Sequence, residues 1–361
     1  MFWSKAFPKS LISLLVFSLM FSLTPTAFAQ ERQRKVNNKQ QQTQKKQEGE
    51  QKRQRQPEGK PIMWERVNIS RRDLFYGPGG KNMLPDLSRI TFIKEETGGH
   101  NKKYRIRDGA GKIWVAKLGR EAQPETAAVR LVWALGYKTE INYLIPSITI
   151  PGKGTFKNVR LEARPDNIKR LDEWKWKKNP FIGTREFQGL KIMQVFLTNW
   201  DIVDVQNKIL QVEGRNGAKE LHYIISDLGA TFGKLGNNNL PIIYRFGRKT
   251  GKPSAYIKTS LVKEVEDGRV RLAYKGKNRW LFKNIMVEDA DWLSRLLLQL
   301  TDRQIRDAFR AANYSPADIN TLTRAVKNKI TELSRVTTED RYSLSPVTID
   351  EDGYSLLLND E

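Results

Sequence analysis

From residue 90 to residue 150 the apolar positions change period twice, from that of a strand to that of a helix and back. Residues 90–117 read as strands joined by turns: Gly98-Gly99 marks one turn, Asp108-Gly109 marks a hairpin, and Ile113 to Leu118 alternates as a half-buried strand does. Pro124 suits the first helical position, Ala128, Leu131, Val132 and Leu135 have helical spacing, and Gly136 closes that helix. Residues 141–150 return to strand character before Pro151-Gly152. The pattern predicts a small β-rich lobe with one helix.

Beyond Thr184, a good N-cap, the positions Leu190, Met193, Val195, Phe196 and Leu197 predict a buried helix. A polar loop follows, then two strands around a Gly-Arg-Asn-Gly turn, the second running into Asp227-Leu228-Gly229. Residues 234–283 are Gly-rich and basic with short β patches, the character of an inserted or substrate-facing segment. From Val287 to Val336 the chain reads as helical, with Ser315-Pro316 opening the last helix. This second lobe is expected to be mostly helical.

The two ends carry other patterns. Lys5 and Lys9 precede an apolar run from Leu11 to Leu23, and Ala27-Phe28-Ala29 precedes Gln30. These are the parts of a secretory signal peptide over residues 1–29, and they predict export to the periplasm or the exterior. The apolar run is short of the roughly 20 residues a membrane span needs, so no span is expected in the mature chain. Residues 30–60 hold ten Lys or Arg and four Glu, with Val36 as the one aliphatic residue. Such a segment cannot bury enough apolar surface to offset chain entropy, and it reads as a disordered basic tether. Residues 337–361 read as an acidic tail.

Composition narrows the chemistry. The 361 residues include no Cys and only His100 and His222. That excludes disulfides, thiol nucleophiles and thiolate metal sites, and leaves too few imidazoles for a His-rich metal cage. The charge is +23, from 63 Lys and Arg against 40 Asp and Glu. A field of that sign favours an acidic protein, an anionic lipid or a glycan as partner. Nucleic acid is not expected, because no recognition motif accompanies the charge. Trp174 and Trp176 alternate with Lys175, Lys177 and Lys178 in a candidate binding patch. The preferred reading of that stretch is an ordinary loop that packs its indoles inward.

Several short motifs follow one another in a telling order. Val115-Ala116-Lys117 lies on a strand, and Glu125 opens the helix E-x-A-A-x-R-L that ends at Leu135-Gly136. A later helix leads to Asn199-Trp200-Asp201 with Asn207 downstream, and a strand pair ends at Asp227-Leu228-Gly229. Over roughly residues 90–335 this order resembles the protein-kinase-like fold. The nearer likeness is to its atypical branch, which includes phosphatidylinositol kinases, bacterial toxin-antitoxin serine kinases and secretory-pathway kinases. The resemblance implies an α+β, two-lobed domain over 61–336, with an N-lobe to about 165 and a C-lobe from about 166.

The same resemblance implies chemistry. Phosphoryl transfer from ATP needs positioning, cations against the phosphates, and groups that hold Mg²⁺. Lys117 would contact the phosphates with Glu125 holding it, and Gly98 and Gly99 would let backbone amides cover them. Asp201 would orient or deprotonate the acceptor hydroxyl, and Asn207 and Asp227 would hold the metal. Taken singly, each residue has a plainer reading. Lys117 could be a solvated strand lysine, Glu121 is a rival partner for it, and Glu125 could serve the helix dipole. Asp201, Asn207 and Asp227 could all be turn formers. Two departures leave catalysis open. Asn207 follows Asp201 by six residues where the pattern has about five, so that Gln206 stands at the expected place. No His or Arg stands beside Asp201, and Asp204 is a rival for its role. A non-catalytic exported binding module, using its basic surface to hold a polyanion or protein, is the alternative.

Overall fold

The strand Ile113–Lys117 is buried along almost its whole length, because each of its faces meets something. Trp114 and Ala116 enter an apolar core with Tyr104, Ile106, Tyr143, Ile145 and Leu161. Lys117 points the other way, as alternate residues of a strand must, and meets the following helix. The computed structural model describes residues 57–98, 101–214, 217–236 and 247–343, with side chains as far as 336. The expected signal peptide, most of the basic tether, Gly99, His100 and the tail beyond Ser343 lie outside those residues. The described residues from Glu58 onward form one compact unit.

The first half contains β1 (Lys60–Ile62), β2 (Thr91–Glu96), β3 (Lys103–Arg107), β4 (Ile113–Lys117), α1 (Ala122–Ala134), β5 (Asn142–Ile150), β6 (Gly154–Ala163) and β7 (Lys169–Arg170). The second contains α2 (Arg185–Phe196), β8 (Asn207–Glu213), β9 (Lys219–Ile225), β10 (Lys234–Leu235), β11 (Arg248–Lys249), α3 (Pro253–Tyr256), β12 (Val262–Glu266) and β13 (Arg269–Leu272). It ends with α4 (Val287–Leu297), α5 (Asp302–Ala311) and α6 (Pro316–Ser343). Five strands form an antiparallel sheet in the order β2-β3-β4-β6-β5. A second sheet, β1-β9-β8-β7, joins the halves of the chain, with β1 parallel to β9.

The N-lobe is therefore the five-stranded sheet with α1 against it, and the C-lobe is the helices α2 and α4–α6 with the β8-β9 hairpin. Helix α1 buries eleven of its thirteen residues. Such a helix gains its stability from packing on several sides and shows little amphipathic contrast. The helix α2 starts where the sequence places it, with the Thr184 hydroxyl accepting the Phe187 amide at 3.2 Å. Among the described residues no helix is long and apolar enough to cross a membrane.

The Trp-Lys stretch packs inward. Trp174 and Trp176 are 2% and 3% exposed, and Trp174 Nε1 donates to the Ile224 carbonyl at 2.8 Å. Lys177 is left to lie over the Trp280 ring at 4.6 Å. Packed indoles contribute core area, and here the Trp174 N–H is satisfied while the Trp176 Nε1 is buried without a hydrogen-bond partner among the described residues, so this stretch positions the hairpin behind the site and offers no aromatic surface.

Candidate active site at the junction of the lobes

Lys117 ends β4 with its side chain 3% exposed, far from the solvated lysine that a lone strand position suggests. Its Nζ lies 2.9 Å from Glu125 Oε2, 3.0 Å from Asp227 Oδ2 and 3.4 Å from Glu121 Oε2. A lysine at this depth requires such partners, since an unpaired buried ammonium loses its hydration with nothing in return. Burial works against the charge, but Glu125 and Asp227 outweigh it and hold the ammonium above its ordinary range. Both rival carboxylates of the sequence reading reach the lysine, Glu125 from inside and Glu121 from the rim.

Glu125 is 0% exposed, and its second oxygen faces Arg160 Nη2 at 3.1 Å. Arg160 stands on β6 directly opposite Lys117 on β4, so one carboxylate bridges two cations on neighbouring strands. Burial pushes the Glu125 carboxyl up to about 7 against the pull of Arg160 and Lys117. The chain of charges continues: Arg160 pairs with Glu162 at 2.6 Å, and Glu162 with Arg164. Arg170 Nη2 then reaches Glu140 at 2.8 Å and Ser226 Oγ at 3.0 Å. Ser226 immediately precedes Asp227. The two ends of this ionic chain are thus Lys117 and the neighbour of its partner across the lobes.

Asp227 follows β9, and its carboxylate is held below its usual range: burial raises it, but Lys117 and the Gly229 amide lower it further. The Gly229 amide donates to Asp227 Oδ1 at 3.0 Å. Gly229 adopts no left-handed conformation, so its need is for room. A methyl group there would stand 2.8 Å from Glu121 Cβ. The sequence reading of a turn at Asp-Leu-Gly becomes a close approach between that motif and the start of α1.

The second group centres on Asp201. Thr198, at the end of α2, takes φ +56, an uncommon state for a β-branched residue that turns the chain sharply into the loop. Asn199 Oδ1 accepts the Asp201 amide at 3.0 Å. Gln206 Nε2 donates to Asp201 Oδ2 at 3.0 Å, and Lys277 Nζ lies 3.6 Å from Asp201 Oδ1. The Ser226 amide donates to the Gln206 carbonyl at 2.7 Å, which ties this loop to Asp227.

Asn207 takes a different partner through its nitrogen, and its Oδ1, the atom a metal ion would need, is buried with no hydrogen-bond partner among the described residues. It is 0% exposed and gives Nδ2 to the Trp174 carbonyl at 3.0 Å. Adjacent residues at a strand start face opposite sides, so Gln206 turns to Asp201 while Asn207 turns into the interior. Asp204 also holds the tryptophan loop, its Oδ1 accepting the Trp176 amide at 3.0 Å. Gly98 takes φ +107 with open space around it, a state suited to glycine. Gly99 is outside the described residues. Gln206, Arg160 and Lys277 are additions. Gln206 was readable from strict spacing.

An antiparallel five-stranded lobe offers a lysine to a helix glutamate and, across the junction, to the aspartate of an Asp-Leu-Gly that follows a hairpin. The fold is protein-kinase-like. No family model matches this chain, and no curated protein matches it in sequence. Among solved structures it is similar to the Helicobacter pylori proinflammatory kinase CtkA, at 13% identity over 72% of this chain and 99% of that one, TM-score 0.46. It is similar also to a Golgi casein kinase, at 10% identity over 72% and 74%, TM-score 0.37. A third is the Rio2 kinase of Chaetomium thermophilum, in a complex with ADP, Mg²⁺ and phosphoaspartate, at 11% identity over 70% and 72%, TM-score 0.27. At those scores the kinase-like fold is read from this chain's own topology and junction.

The residues present fit a nucleotide and its magnesium ion. Mg²⁺ usually takes one or two carboxylates beside phosphate oxygens and water, and the Asp227 side chain is 29% exposed at the junction. Among the described residues no group of three or more His, Asp or Glu is placed to hold a metal ion by itself. A cavity of about 240 Å³ lies behind this site, lined by Trp133, Glu140, Arg164, Leu210 and His222, and no predicted site residue lines it.

Proposed function

We propose that the protein is a phosphotransferase that moves the γ-phosphate of ATP to an acceptor hydroxyl. The observation that carries this reading is the convergence of Lys117, Glu125 and Asp227, with Lys117 Nζ 3.0 Å from an aspartate 110 residues away. Lys117 would hold the phosphates, and Glu125 fixes its position from a fully buried seat. Asp227 and the amide oxygen of Gln206, whose nitrogen is engaged with Asp201, would hold Mg²⁺. The ion would neutralise charge on the phosphates and fix their orientation. Asp201 would accept the acceptor's proton as its oxygen attacks phosphorus and the bond to ADP breaks. Lys277 supplies a cation beside Asp201 where the loop itself has no His or Arg. If residues 1–29 direct export, this transfer takes place where ATP is scarce, and its supply would limit the rate.

The test is Mg²⁺-dependent formation of ADP with a pool of acidic protein acceptors, followed against pH. The carboxylate form of Glu125 is the one that holds Lys117, and its carboxyl sits at about 7. Activity is therefore expected to fall as pH drops through about 7, and Glu125→Gln is expected to remove that limb. A profile flat from pH 6 to 8 in the wild type counts against the assigned role. Gln206, standing where kinases have Asn, favours one rival reading, a non-catalytic module with the same fold. Absence of ADP formation under all acceptors would select it.

A further inference from the structure

From Lys234 to Lys263 the sequence holds seven Lys or Arg and no Asp or Glu. This run follows the Asp-Leu-Gly motif, and its described parts fold beside the Asp201 loop: Trp200 Nε1 donates to Thr250 Oγ1 at 3.0 Å. On that side opens a cavity of about 490 Å³, and none of Lys117, Glu125 and Asp227 lines it. Its lining residues include Lys234 and Lys275 and the hydroxyl-bearing Thr198, Thr259 and Ser260, with no carboxylate among them. Among the described residues neither lysine has an ion-pair partner.

A third lysine lies behind the wall. Lys329 on α6 is 2% exposed, with its Nζ 3.4 Å from Thr198 Oγ1 and 4.9 Å above the Tyr256 ring. Among the described residues no carboxylate is within ion-pair distance of it, although lysine is seldom buried without one. Two exposed lysines and several hydroxyl-bearing residues line one cavity, and behind it stands a lysine whose ammonium burial pushes down to about 7. An anion there gains charge-assisted hydrogen bonds in a partly enclosed place where its attraction is least screened.

The position relates the cavity to the reaction. Thr198 lies three residues before Asp201, and Lys275 two before Lys277, which contacts Asp201. Three residues of chain reach roughly 10 Å. We infer that the cavity holds an anionic group, a phosphate or carboxylate, carried by the acceptor within reach of the hydroxyl that Asp201 serves. This rests on the phosphotransfer reading and adds the substrate class.

The test uses the full chain and inorganic phosphate, titrated by calorimetry, with a Lys234→Ala/Lys275→Ala variant. Both lysines are exposed, so the variant keeps the fold. Wild type is expected to bind phosphate, and the variant to bind it at least tenfold more weakly with its Mg²⁺–ATP affinity within twofold of wild type. Lys249→Ala/Lys252→Ala removes two exposed charges of the same run that do not line the cavity, and is expected to cost less than twofold. Parallel titrations with a phosphoserine peptide and an inositol phosphate show which carrier the cavity accepts. No phosphate binding by the wild type, undiminished binding by the first variant, or equal loss in both variants overturns the inference. Failure of the wild type to bind Mg²⁺–ATP would instead sink the phosphotransfer reading, and the phosphate titration distinguishes the two failures.

Discussion

Asp201→Asn is expected to lower Mg²⁺-dependent phosphate transfer by roughly 10²–10⁴-fold, the usual contribution of a positioned general base. The substitution is isosteric and retains an oxygen to accept the Gln206 Nε2 hydrogen bond, and the bond from the Asp201 amide to Asn199 is untouched. What is lost is the capacity to take a proton and the ion pair with Lys277. Affinity for Mg²⁺–ATP should stay within about twofold, because Lys117 and Asp227 are unchanged. Initial rates of ADP formation, beside a direct titration of nucleotide, check both halves. A rate within a few fold of wild type would move the base to another residue. Asp204, whose Oδ1 accepts the Trp176 amide, would be the next residue to replace.

Glu125→Ala is expected to be the most destabilising change at the junction. It removes the carboxylate between Lys117 and Arg160, both buried, and leaves two cations facing each other without it. Breaking a buried pair in this way costs about 3–5 kcal/mol, which for a domain of this size lowers Tm on the order of 10 °C. Glu121→Ala is the matched control. Glu121 is 21% exposed and stands 3.4 Å from the same lysine, so water replaces much of what it gives, and its loss should cost less than about 1 kcal/mol. Calorimetric melting of the two variants at pH 7 checks the ranking. Equal Tm values would mean that the ionic chain from Lys117 to Ser226 carries little of the stability.

The parts of this site that were legible in the sequence are those whose signal is local. Lys117 announces itself as the one charge at the end of an apolar strand, Glu125 by the Pro124 in the first turn of its helix, and Asp227 by the strand and glycine on either side of it. Their meeting could be expected only from the order of the motifs, and the geometry supplies it. The choice between Gln206 and Asn207 was not legible by composition. One residue at a strand start decides between junction and interior, and the tryptophan loop that captures Asn207 comes from an earlier part of the chain. Arg160 and Lys277 were hidden for a related reason. Each acts through a partner distant in sequence, and lysines and arginines are too common in this chain for one of them to stand out. The C-lobe was legible as helices but not as three of them, since Leu297 to Asp302 breaks the pattern with only a short turn.

The central claim is that Lys117 and Asp227 together hold a nucleotide and its magnesium ion, and the most direct measurement is the melting temperature of the full chain during titration with ATP, with and without Mg²⁺. A ligand bound only by the folded state stabilises it by about 2.7 kcal/mol at a hundred times its Kd. The expected result is a rise in Tm that requires Mg²⁺ and is lost in Asp227→Asn. No rise at millimolar ATP, or the same rise in wild type and Asp227→Asn, would contradict the claim.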